Sequence, residues 1–272
     1  MLCIYYCAPD MKYIDEAPQI KIDYRPQDKT LEEFIKIHAD QTIYIDTDKI
    51  DLFSDSSYLR TLQSLKIYDN WVLQIPISLI KENQTKFDAI KDCCNRYMFT
   101  DLIGNWEVLQ YVLTLKPCEV YVTNMLAWDL VKVAQLCFIE GVGVRVYANI
   151  AQCAWDNAPD LTKFFIRPED LNIYEPYLSG VEFAGDGKNI QEVMYEVYTE
   201  GYWYGDLSEI ILNFNSHVDS RCLPAEFGEW RFKCGKRCIK GAGCGLCERA
   251  VEFSDTLQKI NLQVIPPSKR KE

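Results

Sequence analysis

Four cysteines fall within the fourteen residues of "CGKRCIKGAGCGLC", positions 234 to 247. Counted from Cys222, the spacing is C-x11-C-x3-C-x5-C-x2-C through Cys234, Cys238, Cys244 and Cys247. Thiolates are soft ligands suited to zinc and to iron–sulfur clusters. Gly235, Gly241, Gly243 and Gly245 allow the tight turns that several converging sulfurs need. The stretch "RFKCGKRCIKG" adds five Lys or Arg and no acid, and such cations stabilise thiolates by lowering their pKa. A metal or cluster is therefore expected here, as either a [4Fe-4S] cluster or zinc. The expected metal ligands are Cys234, Cys238, Cys244 and Cys247, with Cys222 as a further cofactor-binding candidate and His217 as an alternative ligand. Cys3, Cys7, Cys93, Cys94, Cys118 and Cys137 read as core packing, and Cys153 falls where a strand has just ended.

Those residues must be positioned by something, and the rest of the chain alternates short β-branched or aromatic runs with helical patterns. Candidate strands are 19–25, 42–46, 71–76, 97–101, 119–124, 144–150, 164–168 and 181–185. Between them, "TLEEFIKIHAD" opens with Thr30 three residues before Glu33, a capping box. "NWEVLQYVLTL" starts at Asn105, a good N-cap. "AWDLVKVAQLCFIEGVGV" ends at Gly141, suited to a left-handed stop. Strands separated by helices of this length pair in parallel, and eight such units predict an α/β fold, a (β/α)8 TIM-type barrel. An open doubly wound sheet is the competing architecture. The expected barrel covers 1–215, including a last helix in "NIQEVMYEVYTEGYW" and a further short strand at 209–214. A small cysteine-rich module with a basic tail follows over 216–272.

In such a barrel the reacting groups lie at the C-terminal ends of the strands. The predicted rim holds Asp23, Arg25, Asp46, Asp48, Asp101, Asn124, Asn149, Gln152, Arg167, Glu169, Asp170, Glu182 and Asp186. Carboxylates there suit acid–base work or a hard cation, and arginines suit a carboxylate or phosphate. Strand ends and caps are also rich in Asp and Asn for local reasons. Arg167 and Glu182 are favoured because each interrupts an apolar strand, where a charge is costly unless paired. Asp101 and Asn149 complete the candidate catalytic set. Tyr202, Trp203 and Tyr204 offer a stacking surface for a planar substrate, or simply cover one end of the domain.

The segments "GNWEVLQYVLTLKPCEVYVTNMLAWDLVKVAQLCFIEGVGVRVYANI" and "FFIRPEDLNIYEPYLSGVEFAGD", followed by the helix "NIQEVMYEVYTEGYW", resemble the collagenase-like U-type peptidase family over about residues 95–250. That family includes ubiquinone-hydroxylation accessory proteins and RNA-hydroxylating proteins. The resemblance implies a barrel, a four-cysteine [4Fe-4S] cluster, and oxygen-independent hydroxylation or a related modification of an aromatic ring or RNA base. A protein partner belongs to the same expectation. In some members a cysteine is followed after about a dozen residues by C-x3-C, which Cys222, Cys234 and Cys238 would match. The family's peptidase signature is absent, so peptidase activity is not expected. The alternative from another class is a non-catalytic interaction protein whose zinc site shapes a basic docking module.

Composition sets the remaining bounds. The formal net charge of −11 disfavours broad nucleic-acid binding. No apolar run approaches the roughly 20 residues that span a bilayer, and the opening residues lack a signal-peptide pattern, so no membrane insertion and a cytoplasmic location are expected. Only His38 and His217 are present, which excludes a histidine-rich metal site, and His38 reads as a packed structural residue. No dinucleotide fingerprint, P-loop, nucleophile elbow or H-E-x-x-H motif occurs.

Overall fold

Eight parallel strands close on themselves in sequence order. They are β1 (Leu2–Tyr6), β2 (Gln19–Asp23), β3 (Thr42–Asp46), β4 (Trp71–Ile75), β5 (Tyr97–Ile103), β6 (Glu119–Val122), β7 (Gly143–Tyr147) and β8 (Gly180–Glu182). The computed structural model describes residues 1–23, 30–47, 56–82, 84–123, 127–152, 160–185, 187–233 and 245–259. The (β/α)8 barrel expected from the sequence is the architecture observed. Helices α1 (Leu31–Ile37), α2 (Ser56–Ser64), α3 (Ser78–Glu82), α4 (Gln84–Lys91), α5 (Trp106–Thr114), α6 (Ala127–Ile139), α7 (Leu171–Tyr174) and α8 (Lys188–Glu200) lie in the connections and after β8, followed by α9 (Phe227–Lys233) and α10 (Leu246–Lys259).

Local sequence accounts for several boundaries. The Thr30 hydroxyl accepts from the Glu33 N–H at 3.2 Å and starts α1, and Asn105 does the same for Val108 at 2.9 Å in α5. Helix α8 stops at Gly201, whose φ of 75° is the left-handed conformation that glycine adopts without a Cβ clash.

Strand alternation divides the interior in two. Outward residues such as Ile20, Ile22, Ile43, Ile45, Trp71, Leu73, Val120, Val122, Val144 and Val146 join the helices in the main core. Inward residues form a smaller cluster of Cys3, Tyr44, Val72, Met98 and Tyr121, and the rest of the lumen is polar.

Two strand assignments need correction. The first staple of the barrel is β1, which pairs with both β2 and β8, whereas 164–168 is not a barrel strand. Phe164 makes only an isolated antiparallel bridge to Gln152, and Pro168 opens a short 3-10 turn through Asp170. Phe165 and Ile166 are fully buried, and a buried apolar run carries the same pattern whether or not it joins a sheet. The predicted strand at 209–214 is likewise reduced to one bridge, Ile150 to Leu212.

Past residue 215 the described chain packs on the barrel. Leu223, Phe227 and Ala250 belong to the main core, and the Arg231 guanidinium donates to the carbonyls of Phe165, at 2.7 Å, and Lys163. Among the described residues no helix is long and apolar enough to cross a membrane.

Candidate functional site

The polar residues of the lumen build a connected site from its floor to the C-terminal mouth. Arg145 sits on β7 between Val144 and Val146 and therefore points inward, where it is wholly buried. Its guanidinium donates to Glu119 through Nε at 3.0 Å, to Glu182 through Nη1 at 3.3 Å and to Gln19 through Nη2 at 3.0 Å. One flat face lies 3.9 Å from the Tyr44 ring centre, and the Tyr44 hydroxyl donates to Glu119 at 3.1 Å. Gly180 lies against the guanidinium. A Cβ added there would stand 2.4 Å from Arg145 Cζ, so the absence of a side chain on β8 gives the arginine its place. The two carboxylates hold the arginine firmly charged, outweighing the effect of burial.

Above this floor runs a directed chain of hydrogen bonds. The Tyr121 hydroxyl donates to Glu182, which leaves its oxygen to accept from Gln74 Nε2 at 3.1 Å. That direction fixes the amide, and Gln74 Oε1 is left buried without a hydrogen-bond partner. Burial and the neighbouring Glu182 push the Tyr121 hydroxyl far above its ordinary value, so it stays protonated.

At the mouth, Lys21 Nζ lies 3.2 Å from Asp46 and 3.7 Å from Glu182, and 5.9 Å from the Tyr121 ring centre. The Tyr121 and Tyr147 rings stack at 5.5 Å and 13°. Side-chain exposures of 15% for Lys21 and 16% for Asp46 make this the edge where the network meets solvent. Burial alone would lower the Lys21 pKa, but Glu182, Tyr147 and Asp46 outweigh it and hold the group well above its usual range. Lys21 is therefore a permanent ammonium, a donor and a source of positive potential, and not an amine nucleophile. Burial and Glu182 push Tyr147 up to about 12. The arrangement suits proton transfer through the carboxylates at the mouth and stabilisation of charge by Lys21.

Of the residues expected from the sequence to act at the rim, Glu182 lies at the centre of this network. Asp46 and Asp23 end neighbouring strands in register with each other. The other candidates lie elsewhere. Arg167 is buried outside the lumen, paired with Asp170 at 2.7 and 2.8 Å and lying over Phe227 at 4.9 Å. Asn149 exchanges two hydrogen bonds with the Ala184 backbone, at 3.1 and 2.7 Å. Asp101 accepts from the Ile77 N–H, Gln152 accepts from Thr123, and Glu169 accepts from Trp203 N and Ser220. Tyr202 and Tyr204 pack on each other at 4.8 Å. His38 packs on Phe34 at 4.4 Å, and His217 pairs with Asp206 at 2.8 Å. Arg25, Asp48, Asn124, Cys153 and Asp186 lie outside the described residues.

Lys21, Gln74, Glu119, Tyr121, Arg145 and Tyr147 were not among the expected site residues. The signal that singles out Glu182 also finds Arg145 in "GVRVY" and Lys21 in "QIKID", each a charge flanked by apolar residues in a strand.

Of the cysteine set, Cys222 and Cys247 are described, and Cys234, Cys238 and Cys244 lie outside the described residues. Burial, followed by Asp219, raises the Cys222 pKa, and its thiol lies beside Ser254 of α10. Cys247 faces the Leu161 carbonyl at 3.8 Å. Ser254 and Cys247 are separated by roughly 10 Å of helix axis, so Cys222 stands apart from Cys247. Among the described residues no group of three or more metal-ligating side chains converges. The expected donor set of Cys234, Cys238, Cys244 and Cys247, with Cys222 as a further candidate, therefore rests on spacing.

No protein-family profile, curated protein or solved structure matches this chain.

Proposed function

We propose that this chain is a (β/α)8 enzyme that modifies a small aromatic substrate at the C-terminal mouth of its barrel, by oxygen-independent hydroxylation or a related reaction, with a [4Fe-4S] cluster on Cys234, Cys238, Cys244 and Cys247. The observation that carries the enzyme reading is the buried network of Lys21, Asp46, Glu182 and Tyr121, which opens at the strand ends where barrel enzymes do their chemistry. The cluster part rests on the cysteine spacing and on the family resemblance. Replacing a ring C–H by C–OH with oxygen from water releases two protons and two electrons. Asp46 and Glu182 are the groups that would take protons, and the cluster's chemistry is to pass single electrons to an external acceptor. The acidic lumen and the net charge of −11 favour a small molecule over an RNA base. A reducing, cytoplasmic setting, in which close-spaced thiols stay available to a metal or cluster, belongs to the same proposal.

The test is iron, zinc and acid-labile sulfide content, with a visible spectrum, on full-length protein purified without oxygen. Iron and sulfide of about four each, lost in Cys234→Ser and Cys238→Ser, are expected. Stoichiometric zinc without sulfide would overturn the redox reading and turn the basic tail into a docking module for a protein partner.

A further inference from the structure

We infer that Tyr121 is a redox-active tyrosine, which gives one electron to an oxidant of the organic-radical class while its hydroxyl proton passes to Glu182. This goes beyond the reaction proposed above and does not rest on it.

The step balances within the lumen. Tyr121 loses one electron, the oxidant gains it, and the only protein bond that breaks is the phenolic O–H. The proton bonds to Glu182 Oε1, the atom to which the hydroxyl already donates. Tyr121 stays a phenol until it is oxidised, and a phenol stripped of an electron becomes a very strong acid. Oxidation is therefore eased where a base stands within hydrogen-bond reach. The neutral radical keeps an oxygen that accepts. Gln74 Nε2 already donates to it at 3.1 Å, and protonated Glu182 becomes a second donor. Lys21 and Arg145 both face Glu182, but Lys21 also has Asp46 and Arg145 also has Glu119, so protonating Glu182 leaves neither cation unpaired.

Other described tyrosines lack a part of this arrangement. Tyr198 is deeply buried, but its hydroxyl donates to the Ile166 carbonyl at 2.5 Å, which is too weak a base to take a proton. Tyr44 donates to Glu119 at 3.1 Å, yet the Arg145 guanidinium lies 3.9 Å from its ring centre, and a cation against the ring face opposes loss of an electron. Lys21 stands further from the Tyr121 ring, at 5.9 Å. Tyr13 and Tyr68 donate to Glu196 and Glu32 at the surface, where a radical meets other molecules and is lost. Tyr121 is 1% exposed. The half-buried Tyr147 stacks on it at 5.5 Å and 13°, so an electron can leave through the paired rings without the oxidant touching Tyr121.

The experiment photo-oxidises full-length protein with a ruthenium polypyridyl complex and persulfate, and follows radicals by EPR after rapid freezing. Ring-deuterated tyrosine identifies the signal. The unaltered protein should hold a tyrosyl radical that outlives that of free tyrosine at least about tenfold and couples to two exchangeable protons, from Gln74 and Glu182. Tyr121→Phe and Glu182→Gln should each cut its yield at least about tenfold, and Tyr198→Phe should leave it unchanged. Should the first two variants fail to fold, the lifetime and the exchangeable-proton coupling in the unaltered protein decide alone. A radical no longer-lived than that of free tyrosine, one without that coupling, or an undiminished yield in folded Tyr121→Phe or Glu182→Gln would each overturn the inference.

Discussion

Replacing Arg145 by Met tests whether the lumen floor is held by charge pairing. The variant keeps most of the side-chain volume but removes every donor that faces Glu119, Glu182 and Gln19 at 3.0 to 3.3 Å. Glu119 keeps the Tyr44 hydroxyl, and Glu182 keeps Tyr121 and Lys21, yet two buried carboxylates lose their shared counter-charge. Removing one partner of a buried pair costs about 3–5 kcal/mol, mostly because the other is left uncompensated. Typical domains have only about 5–15 kcal/mol in total. Urea unfolding followed by far-UV circular dichroism should show a midpoint lowered accordingly, with the slope unchanged. Adding Glu119→Gln to Arg145→Met removes the orphaned charge and should restore about 1–2 kcal/mol. The exposed Lys36–Glu32 pair is the control, and Lys36→Ala should leave the midpoint nearly where it was. A loss below about 1 kcal/mol in Arg145→Met, or a further loss on adding Glu119→Gln, would refute the charge-pairing account.

Two more outcomes follow from the same structure. Burial would push the Asp160 carboxyl up, but Lys163, Ser216 and Asn215 donate to it and hold it below its ordinary value of 3.8. Its stabilisation is present above that value and lost as pH falls through the folded-state pKa, so Asp160→Asn should cost about 2 kcal/mol at pH 7 and the gap should close below about pH 4, measured by thermal melts across pH. Burial pushes the Cys94 thiol to about 12 and Cys137 to about 11, and Cys3 higher still. Cys93 is half-buried, so iodoacetamide at mildly alkaline pH should label it before these three in a peptide map, and equal labelling of Cys3 would contradict the packing described.

The barrel was legible because its helices carry their own start and stop signals at Thr30, Asn105 and Gly141, the last with a left-handed φ of 71°, and because β2 to β8 sit in apolar runs between them. What could not be read was which buried run joins the sheet. The segment "FFIRP" and β1 have similar composition, and only tertiary pairing separates them. The site was half legible for a related reason. Asp46 and Glu182 end their strands, where a rim is expected, while Lys21, Glu119 and Arg145 lie inside strands, where face and depth depend on register. Arg167 carries the same sequence signal as Arg145 yet meets Asp170 three residues away. A charge in an apolar run shows that a partner exists, but not whether that partner is local or across the barrel.

The hydrogen bonds of the lumen also bear on how the chain becomes one cooperative body. Taken as β1–β4 and β5–β8, the two halves of the barrel meet through Gln19 with Arg145, Lys21 with Glu182, Tyr44 with Glu119 and Gln74 with Tyr121. Arg145, Glu119, Tyr121 and Glu182 pair within the second half, but the Gln19, Lys21, Tyr44 and Gln74 side chains of the first half reach across to them, so a separated first half would leave those buried polar groups without these partners. Ring closure and polar satisfaction are thus a single event. A chain cut between β4 and β5 should assemble only when both fragments are present, each acting as the other's missing wall.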